Sequence, residues 1–223
     1  MFIENNRFFI CINNFSTISL SRTINYYTMA QKNRLTKSDY LPMGEFKKLL
    51  KGLHKDHEYL WELYVSLSFF TALRASDIRT LTWADILNKS NLTKTEQKTG
   101  KTRKIPLSEQ AQKRIDEAYL LLKRPNPAEL IFMNPHSKKP YSIQYINRLI
   151  KEWRFKYQIN IENFSTHTFR KSFGRYVYDH AEDKSNALIL LNQIFKHSSI
   201  ETTKVYLGLR ADEINSVFAS LRL

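Results

Sequence analysis

The chain has 223 residues, 42% of them hydrophobic and 13% aromatic, which is enough for one packed domain and too apolar for a disordered chain. Its 35 Lys and Arg outweigh 21 Asp and Glu, and the net charge of +14 suits a polyanionic partner, because each cation laid on a phosphate releases counterions. A single cysteine, Cys11, excludes a disulfide framework and a cysteine-based zinc site. His54 and His57 have no third ligand nearby, and no apolar run reaches the length of a membrane span, so a cytoplasmic protein without a metal or cofactor is expected.

Residues 1–28 are rich in Asn, Ser, Thr and aromatics and follow no helical or strand period. Met29-Ala30 then opens a basic stretch, Gln31-Lys32-Asn33-Arg34. Two readings stand level: a loosely ordered tail, or translation that begins at Met29. The expected organisation is a tail over 1–35 and one domain over 36–223.

From Leu41 the pattern is helical. Phe46, Leu49, Leu50 and Leu53 form an apolar stripe, and a more apolar helix is expected from Glu58 to Thr71, followed by a short one from Ala75 to Leu81. Three short strands are then expected, Trp83–Leu87, Leu92–Gln97 and Lys101–Ile105, with a turn at Thr99-Gly100 and an end at Pro106. Ser108 and Ser142 are placed to cap helices running to Lys123 and Tyr157, with a brief extended piece at Leu130–Phe132 between them. A helix beginning at Thr166 or Thr168 and three more, at Asn186–Phe195, Ser199–Tyr206 and Ala211–Leu221, complete the chain. The fold class is α+β, mostly helical with a small three-stranded antiparallel sheet.

Four stretches hold residues suited to phosphate chemistry, and each has an ordinary reading when taken alone. Arg74 and Asp77, three apart, could be a surface ion pair, but Arg74 follows the apolar Leu67–Leu73 segment, where a guanidinium must find an anion. The stretch Lys89–Lys104 carries six Lys or Arg and one acid, a basic hairpin that could equally be a solvated one. In His167-Thr168-Phe169-Arg170 the His and Arg share a face at a helix start, where the dipole and free N–H groups favour an anion; a capping histidine is the competing view. Tyr206, nine residues after His197, would by itself be an amphipathic core tyrosine.

Arg74, Lys98, His167-x-x-Arg170, His197 and Tyr206, in that order, resemble the tyrosine recombinase (phage integrase) family. The family's first arginine box reads much like Leu73-Arg74-Ala75-Ser76-Asp77-Ile78. Its hairpin lysine sits in a Lys-Thr-Gly context before a basic strand ending in Ile-Pro-Leu, as Lys98 does. His197-Ser198-Ser199-Ile200-Glu201-Thr202-Thr203 has the form of the stretch before its nucleophile. Lys196 stands where the family commonly has a small residue. The resemblance runs from Thr36 to the end, with about 35 residues before it where the family usually carries a separate helical DNA-binding domain, so a short form similar to the fimbrial invertases or to a mobile-element integrase is expected.

The resemblance implies a DNA strand-exchange enzyme. Tyr206 would attack a phosphodiester; Arg74, Arg170 and His197 would bind its non-bridging oxygens; His167 would take the tyrosine proton; and Lys98, or else Lys101, would give one to the leaving 5′-oxygen. Asp77 would orient Arg74 or its helix, and Lys101, Arg103, Lys104 and Lys171 would lie against double-stranded DNA. A type IB topoisomerase-like activity and a non-catalytic DNA-binding protein of the same fold are the alternatives. In the last helix Ile214, Val217, Phe218 and Leu221 form a stripe that packs on its own domain by default, or on a neighbouring protomer on DNA.

Overall fold

The computed structural model describes residues 38–221, apart from 96, 98, 99 and 101. The expected tail, the Met29 start, Lys98 and Lys101 lie outside the described residues. Helix α1 (Met43–Lys55) buries the expected stripe, Phe46, Leu49, Leu50 and Leu53, against α2 (Tyr59–Thr71). Helix α2 is buried on nearly every side because its sequence is apolar all round. It carries the aromatic centre of the core: Trp61 meets Tyr64, Phe132, Tyr141, Tyr145 and Trp153 with ring centroids 5.1–6.5 Å apart. Glu62 is buried in the same helix and is paired by Arg114 at 2.8 Å and His54 at 2.9 Å, as a buried carboxylate requires.

The short helix α3 (Ala75–Ile78) leads to the one departure from the expected sheet. Trp83–Asp85 is a turn of 3₁₀ helix, not a strand. Thr82 and Asp85 form a reciprocal capping box, with the Asp85 carboxylate accepting the Thr82 N–H at 2.8 Å. The backbone N–H groups of Trp83 and Ala84 go to the carbonyls of Glu129 and Pro127, leaving no ladder for a third strand. The sheet is therefore two antiparallel strands, β1 (Asn91–Thr95) and β2 (Thr102–Pro106), and the extended piece at Leu130 contributes only an isolated bridge to Thr82. Gly100, with φ +66°, takes the left-handed conformation a tight turn needs.

Ser108 and Ser142 cap α4 (Glu109–Leu121) and α5 (Ile143–Lys156) as expected. Then come α6 (Thr166–His180), α7 (Lys184–Phe195), α8 (Ile200–Leu207) and α9 (Leu209–Ser220). Ala72, Leu188, Leu191, Phe195, Leu207 and Leu209 form a second, smaller core in which α7 and α8 pack on α6. The default for the last helix fails: Ile214, Val217, Phe218 and Leu221 are 51–71% exposed, so the stripe does not pack on its own domain. Among the described residues no helix is long and apolar enough to cross a membrane, and no group of His, Cys, Asp or Glu could hold a metal ion.

Candidate active site

Helix ends build the site. At the start of α6 the Ser165 hydroxyl accepts the His167 N–H at 3.3 Å and the Thr168 hydroxyl accepts the Ser165 N–H at 3.1 Å, so Ser165 is the cap and Thr166 the first helical residue. This fixes the register of the helix: His167 is exposed in the first turn, and Arg170 is buried one turn on.

Two helices end against Arg170. Helix α2 stops at Ala72, which is left-handed with φ +49°. Helix α7 stops in a Schellman turn at Lys196, φ +52°, where the N–H of Lys196 bonds the Gln193 carbonyl and that of His197 bonds the Asn192 carbonyl, both at 3.2 Å. Lys196 thus tolerates the conformation a small residue would take more easily, and the turn sets His197 immediately beyond the helix. Carbonyls at helix C-termini are partly negative and attract cations. Arg170 takes one from each end: Nη1 donates to Ala72 O, and Nη2 donates to Phe195 O at 3.0 Å. Arg74, the residue before α3, also donates to Phe195 O, at 3.4 Å.

Two guanidiniums meet on one carbonyl, and His197 registers their charge. Burial lowers its pKa from 6.5 to about 4, with repulsion from Arg170 and then Arg74 adding to the effect. His197 is held by Thr203, whose hydroxyl lies 3.1 Å from Nδ1. Its ring sits 4.9 Å from that of Tyr206, and Phe195 lies 5.2 Å from Tyr206 on another side.

Tyr206 comes from α8, which Ser199 caps and Gly208, φ +77°, terminates. Its hydroxyl is buried beside the Arg170 guanidinium. Burial pushes the pKa up to about 12, while the charge of Arg170, a hydrogen bond with it and, less strongly, the charge of Arg74 pull the other way. Two arginines and a buried tyrosine hydroxyl thus stand together, an arrangement whose chemistry suits an oxyanion.

The expected residues divide as follows. Arg74, Arg170, His197 and Tyr206 come together. His167 lies at the exposed mouth of the same helix as Arg170. Asp77 is fully buried, and its Oδ1 accepts the Gln97 backbone N–H at 3.0 Å, so the tie described is to the segment that follows β1 in the hairpin. Arg103 and Lys104 lie on opposite faces of β2, since successive strand residues alternate; Arg103 faces Lys94 across the ladder and Lys104 faces Thr93. Lys171, expected on DNA, has its ammonium 5.0 Å over the Tyr206 ring and donates to the Ser38 carbonyl. Sequence reasoning missed Thr203; its only signal is its place three residues before Tyr206 on one helix face.

Residues 39–213 match the model of the phage integrase family. The chain belongs to that family, the tyrosine recombinases. It is 31% identical over 174 residues to a probable integrase/recombinase, YoeC, of Bacillus subtilis, covering 78% of this chain and 89% of that one. It spans about half the length of the XerD tyrosine recombinases that it also matches. Among solved structures, the fold of this family member resembles the XerA recombinase, with a TM-score of 0.62 at 22% identity over 82% of this chain and 66% of that one. It also resembles the XerH site-specific recombinase in a post-cleavage complex with a palindromic difH substrate, with a TM-score of 0.61 at 19% identity over 84% and 55%.

Proposed function

We propose that the chain is a site-specific DNA recombinase that cuts and rejoins DNA through a 3′-phosphotyrosine intermediate, with its catalytic domain over 36–223. The observation that carries this reading is the gathering of Arg74, Arg170 and His197 around Tyr206. Tyr206 Oη attacks the phosphorus, the bond from phosphorus to the 5′-oxygen breaks, and the 5′-hydroxyl of a partner strand later reverses the step. The bond energy stays in the phosphotyrosine, so no nucleotide cofactor is needed.

Arg74 and Arg170 are permanently charged forks that match two non-bridging oxygens. His197, neutral at physiological pH, adds a hydrogen bond. His167, exposed one turn before Arg170, takes the Tyr206 proton, and Lys98 on the hairpin protonates the leaving oxygen, with Lys101 second for that role. Asp77 holds the hairpin through Gln97. Lys101, Arg103, Lys104 and Lys171 line the DNA backbone, Lys171 from its place over the Tyr206 ring.

DNA with two identical half-sites brings two copies together, and the exposed stripe of α9 fits a neighbouring copy on the same DNA. Duplexes that the chain selects from a random pool supply nicked suicide substrates for the test. The wild type should give a covalent protein–DNA adduct on a denaturing gel and Tyr206→Phe none. Adduct in the variant would sink the Tyr206 assignment. Its absence in the wild type, on DNA that is bound, would leave a non-catalytic binding protein.

A further inference from the structure

Thr203 is fully buried in α8, one turn before Tyr206, and its hydroxyl has three polar neighbours to share one proton among. Asn192 Nδ2 donates to it at 3.1 Å and uses one of its lone pairs. The orientation of that amide is fixed, because the same Nδ2 also donates to the Ser199 carbonyl at 2.6 Å, where an amide oxygen would face another oxygen. The Thr203 proton then has two destinations: the Ser199 carbonyl at 3.5 Å or His197 Nδ1 at 3.1 Å. The carbonyl has two lone pairs and already receives Asn192 Nδ2 and, at 3.3 Å, the backbone N–H of Thr203. Only Nδ1 is left, and it is also the closer.

We infer that Thr203 is a positioning residue that donates its hydroxyl proton to His197 Nδ1 and so holds the imidazole in the tautomer with hydrogen on Nε2. The inference rests on the recombinase reading only for what Nε2 then donates to, a non-bridging oxygen of the phosphate. The consequence is a division of labour. With Nδ1 occupied and Nε2 carrying hydrogen, His197 has no lone pair with which to accept the Tyr206 proton. It acts as a donor alone, and the base must be another group. Burial and the two arginines keep the ring neutral, which is why its tautomer matters. Asn192 braces the arrangement from both ends, since its side chain orients Thr203 while its backbone carbonyl holds the His197 N–H at 3.2 Å.

Two variants separate the proton from the packing. Thr203→Val keeps the shape and removes the proton; Thr203→Ser keeps the proton. Nitrogen-15 NMR of the His197 ring in the free chain at neutral pH, assigned by the signal lost in His197→Gln, should find hydrogen on Nε2 in the wild type and in Thr203→Ser, and a mixture of tautomers in Thr203→Val. On suicide duplexes at saturation, Thr203→Val should form adduct about tenfold or more slowly with its DNA affinity held, while Thr203→Ser stays within a few-fold of wild type. Hydrogen on Nδ1 in the wild type overturns the inference, as does a Thr203→Val chain that keeps both tautomer and rate, or a Thr203→Ser chain as slow as Thr203→Val. A wild-type chain with hydrogen on Nε2 that forms no adduct on bound DNA supports the tautomer and overturns the recombinase reading instead.

Discussion

Gly174 of α6 faces the ring of Phe195 so closely that a Cβ built on it would stand 2.7 Å from Phe195 Cζ and 2.6 Å from Leu207 Cδ2. The missing side chain lets α7 and α8 close on α6 one turn beyond Arg170, and that closure brings the Phe195 carbonyl and Tyr206 to the guanidinium. Alanine would raise helix propensity by about 1 kcal/mol, but overpacking in a filled core costs about 1–3 kcal/mol, so the clash should prevail. Gly174→Ala is expected to lower the midpoint of thermal unfolding and to slow adduct formation more than it weakens DNA binding. An unchanged or raised midpoint would mean that the contact is slack.

Gln158, like Lys196, ends a helix in a Schellman turn with positive φ, here +50°, and the Ile159 N–H bonds the Arg154 carbonyl at 2.9 Å. A left-handed residue with a Cβ is strained by roughly 1–2 kcal/mol, of which glycine's greater freedom in the unfolded chain returns part. Gln158→Gly should therefore stabilise the chain by about 0.5–1 kcal/mol in urea unfolding with an unchanged slope, and should leave adduct formation alone, since the turn is at the end of α5.

His197 gives the pH dependence its sign. The folded imidazole gains its proton only near pH 4, whereas the unfolded one gains it near 6.5. Between those values the unfolded chain binds more protons, so this residue makes stability fall as the pH drops from about 6.5 to about 4. His197→Gln should lessen that fall, as read from urea midpoints across the window. Equal slopes in the two chains would show that the burial and the neighbouring arginines do not act on the ring. Tyr206 acts at the other end: its pKa, raised from 10.0 to about 12, makes stability fall as the pH rises through that range.

Val217 and Phe218 are 61% and 68% exposed, so serine at both should change the monomer's stability by no more than about 0.5 kcal/mol each. If α9 docks on a neighbour, the same pair of substitutions should abolish DNA-dependent assembly while single-copy DNA binding persists, as read by light scattering and gel shift. Assembly that survives would assign the stripe no part in it.

Much of the chemistry was legible because it rests on local order. The apolar period of α1 and α2, the serine caps of α4 and α5, and the ordered series Arg74, Lys98, His167, Arg170, His197 and Tyr206 are all read within short windows. The third strand was misread for a local reason too: Trp83–Leu87 has strand-like residues, but the Thr82–Asp85 box and the carbonyls of Glu129 and Pro127 turn it into a 3₁₀ turn. Half of that competition comes from residues more than forty positions away.

By itself the sequence determined which side chains are present and in what order, hence the family and the type of chemistry. Their arrangement was decided by tertiary structure alone. Two helix ends supply carbonyls to one arginine, a glycine admits the Phe195 ring, Lys171 stands over the Tyr206 ring, and Thr203 lies against His197 Nδ1. The physical reason is the range of the forces. Periodicity and capping act within a few residues, whereas burial, the field of Arg74 and Arg170, and a hydroxyl's choice of acceptor depend on groups that only folding brings within a few ångströms.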